Sequence, residues 1–230
     1  MPRAWSLIRD APHYRSDAFR AGLAAAGYKV MHGEPPAEVA PADVLVVWNR
    51  YGHYDIYARQ FERSGARVIV AENGYLGADN DGRQHYALAL THHNGGGVWP
   101  ADDGSRWCSL GVGLKPWRLS GEHVLICPQR GIGPDKYRQH EAWPKDVAER
   151  LARQTQRPVR IRPHPGNWQK QCTTEELLES LKRDLERCWC VVTWASGAGI
   201  HALIAGVPVI YEGPWWILGQ AASRDIAAVD

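Results

Sequence analysis

The chain has 230 residues, 44% of them hydrophobic and 23% charged, with a net charge of +2. That length holds one large domain or two small ones, and the composition is that of a globular protein rather than a disordered or fibrous one. The charge is too small to argue for or against nucleic acid as a partner. No apolar stretch reaches the 18 residues of a membrane helix and no cleavable leader is recognisable, so a cytoplasmic protein without a membrane span is expected.

Residues 16–25 read as an amphipathic helix that Gly27 stops. A short strand at 28–31 follows, and Pro35, Pro36 and Pro41 then break the chain. Residues 43–48 (DVLVVW) form a continuous apolar run, the pattern of a strand buried on both faces of a parallel sheet. A helix over 55–64 and a second buried strand over 67–71 continue the alternation, which indicates α/β layering. Residues 72–82 (ENGYLGADNDG) are polar and glycine-rich and read as a loop, residues 85–90 as a strand, and 91–97 (THHNGGG) as a second glycine-rich loop. Two such loops near strand ends suggest the wall of a cleft. Residues 99–120 read as an interdomain linker, so the first unit is drawn as 1–113 and the second as 114–230.

The second unit alternates again: strand 123–127, helix 144–154, strand 159–162, helix 174–185 opened by Thr173 or Thr174, strand 188–193, helix 198–205 and strand 207–210. The fold class expected is α/β, with two Rossmann-like units whose parallel sheets face across a cleft. Ligands in such sheets lie beyond the carboxyl ends of the strands. The five cysteines, Cys108, Cys127, Cys172, Cys188 and Cys190, match no zinc spacing and read as reduced thiols, and no metal site is expected. The 11 tryptophans can be core or can stack on rings of a ligand.

Four strand ends of the second unit carry the chemistry. Ser196 and Gly197 stand where a strand hands over to a helix, whose first N–H groups favour an anion. Arg162 and His164 end the previous strand, and Pro163 marks that end by removing a donor. Gln129 and Arg130 end the strand before, where a guanidinium can neutralise a phosphate. Glu212 follows the last strand and can accept from ribose hydroxyls. A general base for an acceptor hydroxyl should come from the first unit, with Glu72, Asp79, Asp81, His92 and His93 as candidates. Arg50, Tyr51, His53 and Tyr54, after the 43–48 strand, could hold an acceptor with rings or phosphates, or simply pack on their helix.

Pro128-Gln129, Arg162-Pro163-His164-Pro165, the run from Ser196 to Pro208 and its Gly206-Val207-Pro208 step resemble the donor half of a GT-B glycosyltransferase. Over 122–212 the chain is similar to bacterial capsule-type Kdo transferases and bacterial sialyltransferases, whose His-Pro and serine motifs hold the nucleotide phosphate. Many of those carry two adjacent serines where this chain has Ala195-Ser196, a departure that counts against a CMP-sugar and leaves a UDP-sugar open; a UDP-sugar or a CMP-sugar is the donor expected. The resemblance implies sugar transfer from a nucleotide-sugar, with no cofactor beyond that donor. The acceptor would be a bacterial or phage glycan, or a hydroxymethylated base in DNA as for some compact phage enzymes of this fold. A sugar-nucleotide epimerase of GT-B fold and a non-catalytic nucleotide-binding module are the alternatives. Sugar identity, stereochemical course and oligomeric state are left open.

Overall fold

The computed structural model describes residues 1–11, 14–78, 84–93, 96–101, 103–131, 135–167 and 173–229. The chain divides into two units, Met1–Ala101 and Asp102–Asp230. Residues 102–113, which composition assigned to the first unit, group with the second.

The first unit runs β1 (Arg3–Ser6), α1 (Ser16–Ala25), β2 (Lys29–Met31), β3 (Val44–Trp48), α2 (His53–Arg63), β4 (Arg67–Ala78) and β5 (Gln84–Leu90). Its sheet order is β2-β1-β3-β4-β5. The apolar run of β3 is buried on both faces: Leu45 and Val47 pack with Ala58 and Phe61 of α2, while Val44 and Val46 pack with Leu23 of α1. Each such side chain contributes on the order of 2 kcal/mol on leaving water. β1 was not expected, because four residues carry too little pattern to stand out. Its identity comes from its neighbours, which it pairs with in parallel on both sides.

Two expectations for this unit are corrected. Its sheet is not wholly parallel, since β5 runs antiparallel to β4. Only five residues separate the two strands, too few for the crossover a parallel pair needs. Residues 72–78 are not a loop but the far half of β4. Glycine misled the pattern there. A Cβ at Gly74 would lie 2.6 Å from the His85 carbonyl oxygen, so Gly74 permits close strand approach at an irregular register rather than a turn.

The second unit runs α3 (Ser105–Ser109), β6 (His123–Cys127), α4 (Trp143–Gln154), β7 (Val159–Ile161), a 3-10 turn (Pro165–Asn167), α5 (Thr174–Leu185), β8 (Cys188–Thr193), α6 (Gly197–Ile204) and β9 (Val209–Tyr211). All four strands are parallel, in the order β7-β6-β8-β9. Trp143, Val147 and Leu151 recur every four residues on α4 and bury against Val124, Ile126 and Val192. Thr173 and Glu176 close a reciprocal capping box at the start of α5. The stretch read as a linker is partly structured. Its end lies along this unit, with the Lys115 and Arg118 amides donating to the carbonyls of Ile204 and Gly206 at 2.9 and 2.7 Å. Gly206 is required there, because a Cβ would fall 2.0 Å from the Pro116 oxygen.

In each unit the strand order reverses once, at β1/β3 and at β6/β8. Crevices form beyond the carboxyl ends of the strands at such points. Among the described residues no helix is long and apolar enough to cross a membrane.

Candidate functional site

In the second unit the carboxyl ends of β7, β6 and β8 lie in that order along one edge of the sheet. They bring together Pro163-His164, Gln129-Arg130 and the loop leading to Ser196. Gln129 ties two of these ends. Its side-chain amide donates to the Ala195 carbonyl at 2.9 Å, and its backbone N–H donates to Gln139 Oε1 at 2.8 Å. Beside this edge lies a cavity of about 780 Å³, with Gln129, Arg130, Arg138, Gln139, His140 and His164 among the residues lining it.

Arg130 has no carboxylate partner among the described residues, so its charge is available to a ligand. His164 Nδ1 accepts the Gly166 N–H at 3.0 Å, which leaves the proton on Nε2. Burial, and then the Arg130 guanidinium, hold His164 below the ordinary histidine range. It is therefore a neutral hydrogen-bond donor at neutral pH. One fixed cation beside a neutral N–H donor suits a phosphate oxygen.

Ser196 is the N-cap of α6, its hydroxyl accepting the Ala198 N–H at 3.3 Å and its own N–H donating to Thr193 Oγ1 at 2.9 Å. Thr193 in turn donates its hydroxyl proton to the Cys127 carbonyl, which fixes the end of β8 to β6. Ser196 and Gly197 do not line the cavity but stand at the adjoining strand end, joined to it through Gln129. Gly199 has a packing reason: a Cβ would come within 2.7 Å of the Trp216 ring.

Two expected ligand groups are engaged elsewhere. The Arg162 guanidinium is turned to α5, where it pairs with the Asp184 carboxylate and donates to Ser180 Oγ at 3.1 Å. Glu212 Oε2 accepts from Trp143 Nε1 at 2.9 Å and from Arg150 at 2.5 Å. Glu212 lines a separate cavity of about 440 Å³ together with His140 and Trp194.

In the first unit the structure brings together two of the candidate bases. His93 Nε2 lies 3.7 Å from Glu72 Oε1 and 3.2 Å from the Tyr51 hydroxyl. Burial raises the Glu72 carboxyl to about 7, and burial reinforced by His92 and Arg50 lowers His93 to about 4. At neutral pH His93 is thus uncharged, and the contact is not a salt bridge. Tyr75, pushed up by burial and then by Glu72, stays protonated beside it. A carboxyl that titrates near neutrality is what a general base requires. His92 stacks on His93 with ring centroids 4.6 Å apart, and its Nδ1 accepts the His93 N–H at 2.9 Å. Asp79 and Asp81 lie outside the described residues.

Arg50 is structural. It is buried and pairs with Asp55 and with both oxygens of Glu62, at 2.6 to 2.7 Å, while donating to the Thr91 carbonyl at 2.5 Å. It thereby clamps the end of β5 that carries His92 and His93. The His53 ring packs against that of Tyr54 in its own helix, tilted at 51° with centroids 4.1 Å apart.

Sequence reasoning did not single out Arg138, Gln139, His140 or Tyr75 as site residues. The first three lie between β6 and α4 with no periodic pattern, and only their nearness to Gln129 reveals them. Among the described residues no group of three or more His, Cys, Asp or Glu side chains is arranged to hold a metal ion.

No family model matches the sequence, and no curated protein matches it. The chain is similar in fold to two solved structures from Thermosulfurimonas dismutans KpsC. One is the beta Kdo 2,4 transferase, at a TM-score of 0.55 and 11% identity over 100% of this chain and 89% of that one. The other is the beta Kdo 2,7 transferase, at 0.51 and 12%, over 100% and 88%. The architecture is therefore GT-B-like: two Rossmann-like α/β units in one chain.

Proposed function

We propose that the protein is a glycosyltransferase that moves a sugar from a UDP- or CMP-sugar to an acceptor hydroxyl. The observation that carries this reading is the cavity beside the β6 and β7 ends, lined by neutral His164 and by Arg130, which has no carboxylate partner among the described residues, with the α6 N-terminus at the adjoining strand end. Those groups stabilise charge as it develops on the departing phosphate. The fold likeness to two Kdo transferases supports the same reading.

In the inverting course the acceptor oxygen bonds to the anomeric carbon while the bond from that carbon to the phosphate oxygen breaks. The electron pair leaves on the phosphate, toward Arg130 and the His164 Nε2–H. The acceptor proton must pass to a general base, and of the candidates Glu72 has the chemistry for that role. Glu72 is preferred to His93 because its carboxyl titrates near 7, whereas His93 is held at about 4 and is too weak a base. Gln129 and Ser196 act by fixing the strand ends, and Arg162 holds α5 rather than donor.

A glycan acceptor is favoured over DNA. Arg50, the cation that the β3 end could offer a backbone phosphate, is neutralised by Asp55 and Glu62. A pool of nucleotide-sugars incubated with glycan acceptors and with hydroxymethylated DNA, read by mass spectrometry, tests this. Gain of one sugar mass on a glycan with release of nucleotide supports the proposal. Modified DNA would move the acceptor to a base. Nucleotide release with a free epimerised sugar would favour the epimerase, and binding without turnover the non-catalytic module.

A further inference from the structure

We propose that Gly166 is a positioning residue for the anion site, setting where the Arg130 guanidinium lies; the inference rests on the donor-site reading above. Gly166 is not needed for backbone conformation, because its φ lies outside the left-handed region where glycine is favoured. It is needed for space. A Cβ there would stand 2.7 Å from Arg130 Cδ, 2.9 Å from Nε and 3.1 Å from Cζ. The Arg130 side chain therefore crosses the turn through the slot that the missing methyl leaves.

The same residue acts a second way through its backbone, since its N–H donates to His164 Nδ1 and directs the other ring proton to Nε2. One glycine thus sets both partners of the phosphate, the cation by what it lacks and the donor by its amide. The clash an alanine brings falls on the outer atoms of a flexible arginine, which can swing aside. Gly166→Ala should therefore move the guanidinium at little cost to the fold, and its retained N–H leaves the His164 contact in place.

A double-mutant cycle tests this with CMP and UDP as probes, read by titration calorimetry on wild type, Arg130→Ala, Gly166→Ala and the double variant. Gly166→Ala should bind the preferred nucleotide about tenfold more weakly, the scale of a lost charge-assisted hydrogen bond. The double variant should be no weaker than Arg130→Ala, with melting temperatures close to wild type. A second readout is the titration of His164 followed by NMR without ligand. Both single variants should raise its pKa, because each removes the same nearby cation. Additive losses in the cycle, or an unmoved His164 titration in Gly166→Ala, would show that Gly166 does not act through Arg130. Wild-type affinity in Gly166→Ala alone would overturn the inference and leave the donor site standing. Wild-type affinity in Arg130→Ala, or no binding of either nucleotide, would remove the donor site and this inference together.

Discussion

The two units present opposite environments at the carboxyl ends of their strands. In the first, Glu72 and Tyr75, just past the stretch of β4 that pairs with β3, lie with His93, and burial decides the protonation of all three. In the second, Arg130 keeps its charge beside a roomy polar cavity. Burial is a way to bring a carboxyl toward neutrality, whereas an anion site needs a cation that no carboxylate has already claimed. The arginines make the same contrast within single elements. Arg50 and Arg162 each follow a strand, as Arg130 does, yet both are paired with carboxylates and serve the fold.

The contrast breaks most visibly at Glu72. If it is the base, Glu72→Gln should lower kcat by a factor on the order of 10² to 10⁴ with KM for the donor little changed. Wild-type activity should fall as pH drops through about 7, where the carboxyl takes up its proton. Stability should move the other way. The folded protein holds this proton up to about 7 against an ordinary value of 4.5, so it binds more protons than the unfolded chain in that window. The benefit is full below pH 4.5 and lost as pH rises through 7. Glu72→Gln should therefore gain on the order of 2 kcal/mol over wild type at pH 8 and nothing at pH 4, read by urea unfolding.

The arginine contrast gives the next largest effects. Arg162→Ala should cost about 2 kcal/mol of stability by leaving Asp184 without its partner, while the folded fraction binds nucleotide normally. Arg130→Ala should do the reverse, weakening nucleotide binding about 10- to 100-fold with the melting temperature held. Calorimetry and thermal melts on the same two samples decide between them. The smallest effect belongs to Tyr51→Phe, which removes one neutral hydrogen bond to His93. It should cost about 1 kcal/mol and leave kcat at its optimum pH within a few-fold.

The layering of the fold was legible because buried strands and amphipathic helices carry their periods in the sequence. Leu45 and Val47 face one helix and Val44 and Val46 the other, as a continuous apolar run implies. The start of α5 was readable to within one residue, at Thr173 or Thr174, and the structure makes Thr173 the cap with Glu176 as its partner. What failed to show was anything set by backbone proximity. Gly74 and Gly199 look like loop or ligand glycines, and only coordinates reveal the His85 carbonyl and the Trp216 ring against them. In the candidate site, Glu72 and His93 were named separately, but nothing in their 21-residue spacing foretells a 3.7 Å contact across a hairpin. Arg162 and Arg130 are equally plausible as sequence. Asp184, a helix away, is what separates their roles.

The most direct test is phosphorus NMR of CMP and of UDP, each titrated with wild-type protein and with Arg130→Ala. Wild type should shift and broaden the phosphate signal of one nucleotide at micromolar to millimolar protein, and Arg130→Ala should leave it close to that of free nucleotide. Identical spectra with the two proteins, or no change in either nucleotide, would contradict a phosphate site built on Arg130 and His164.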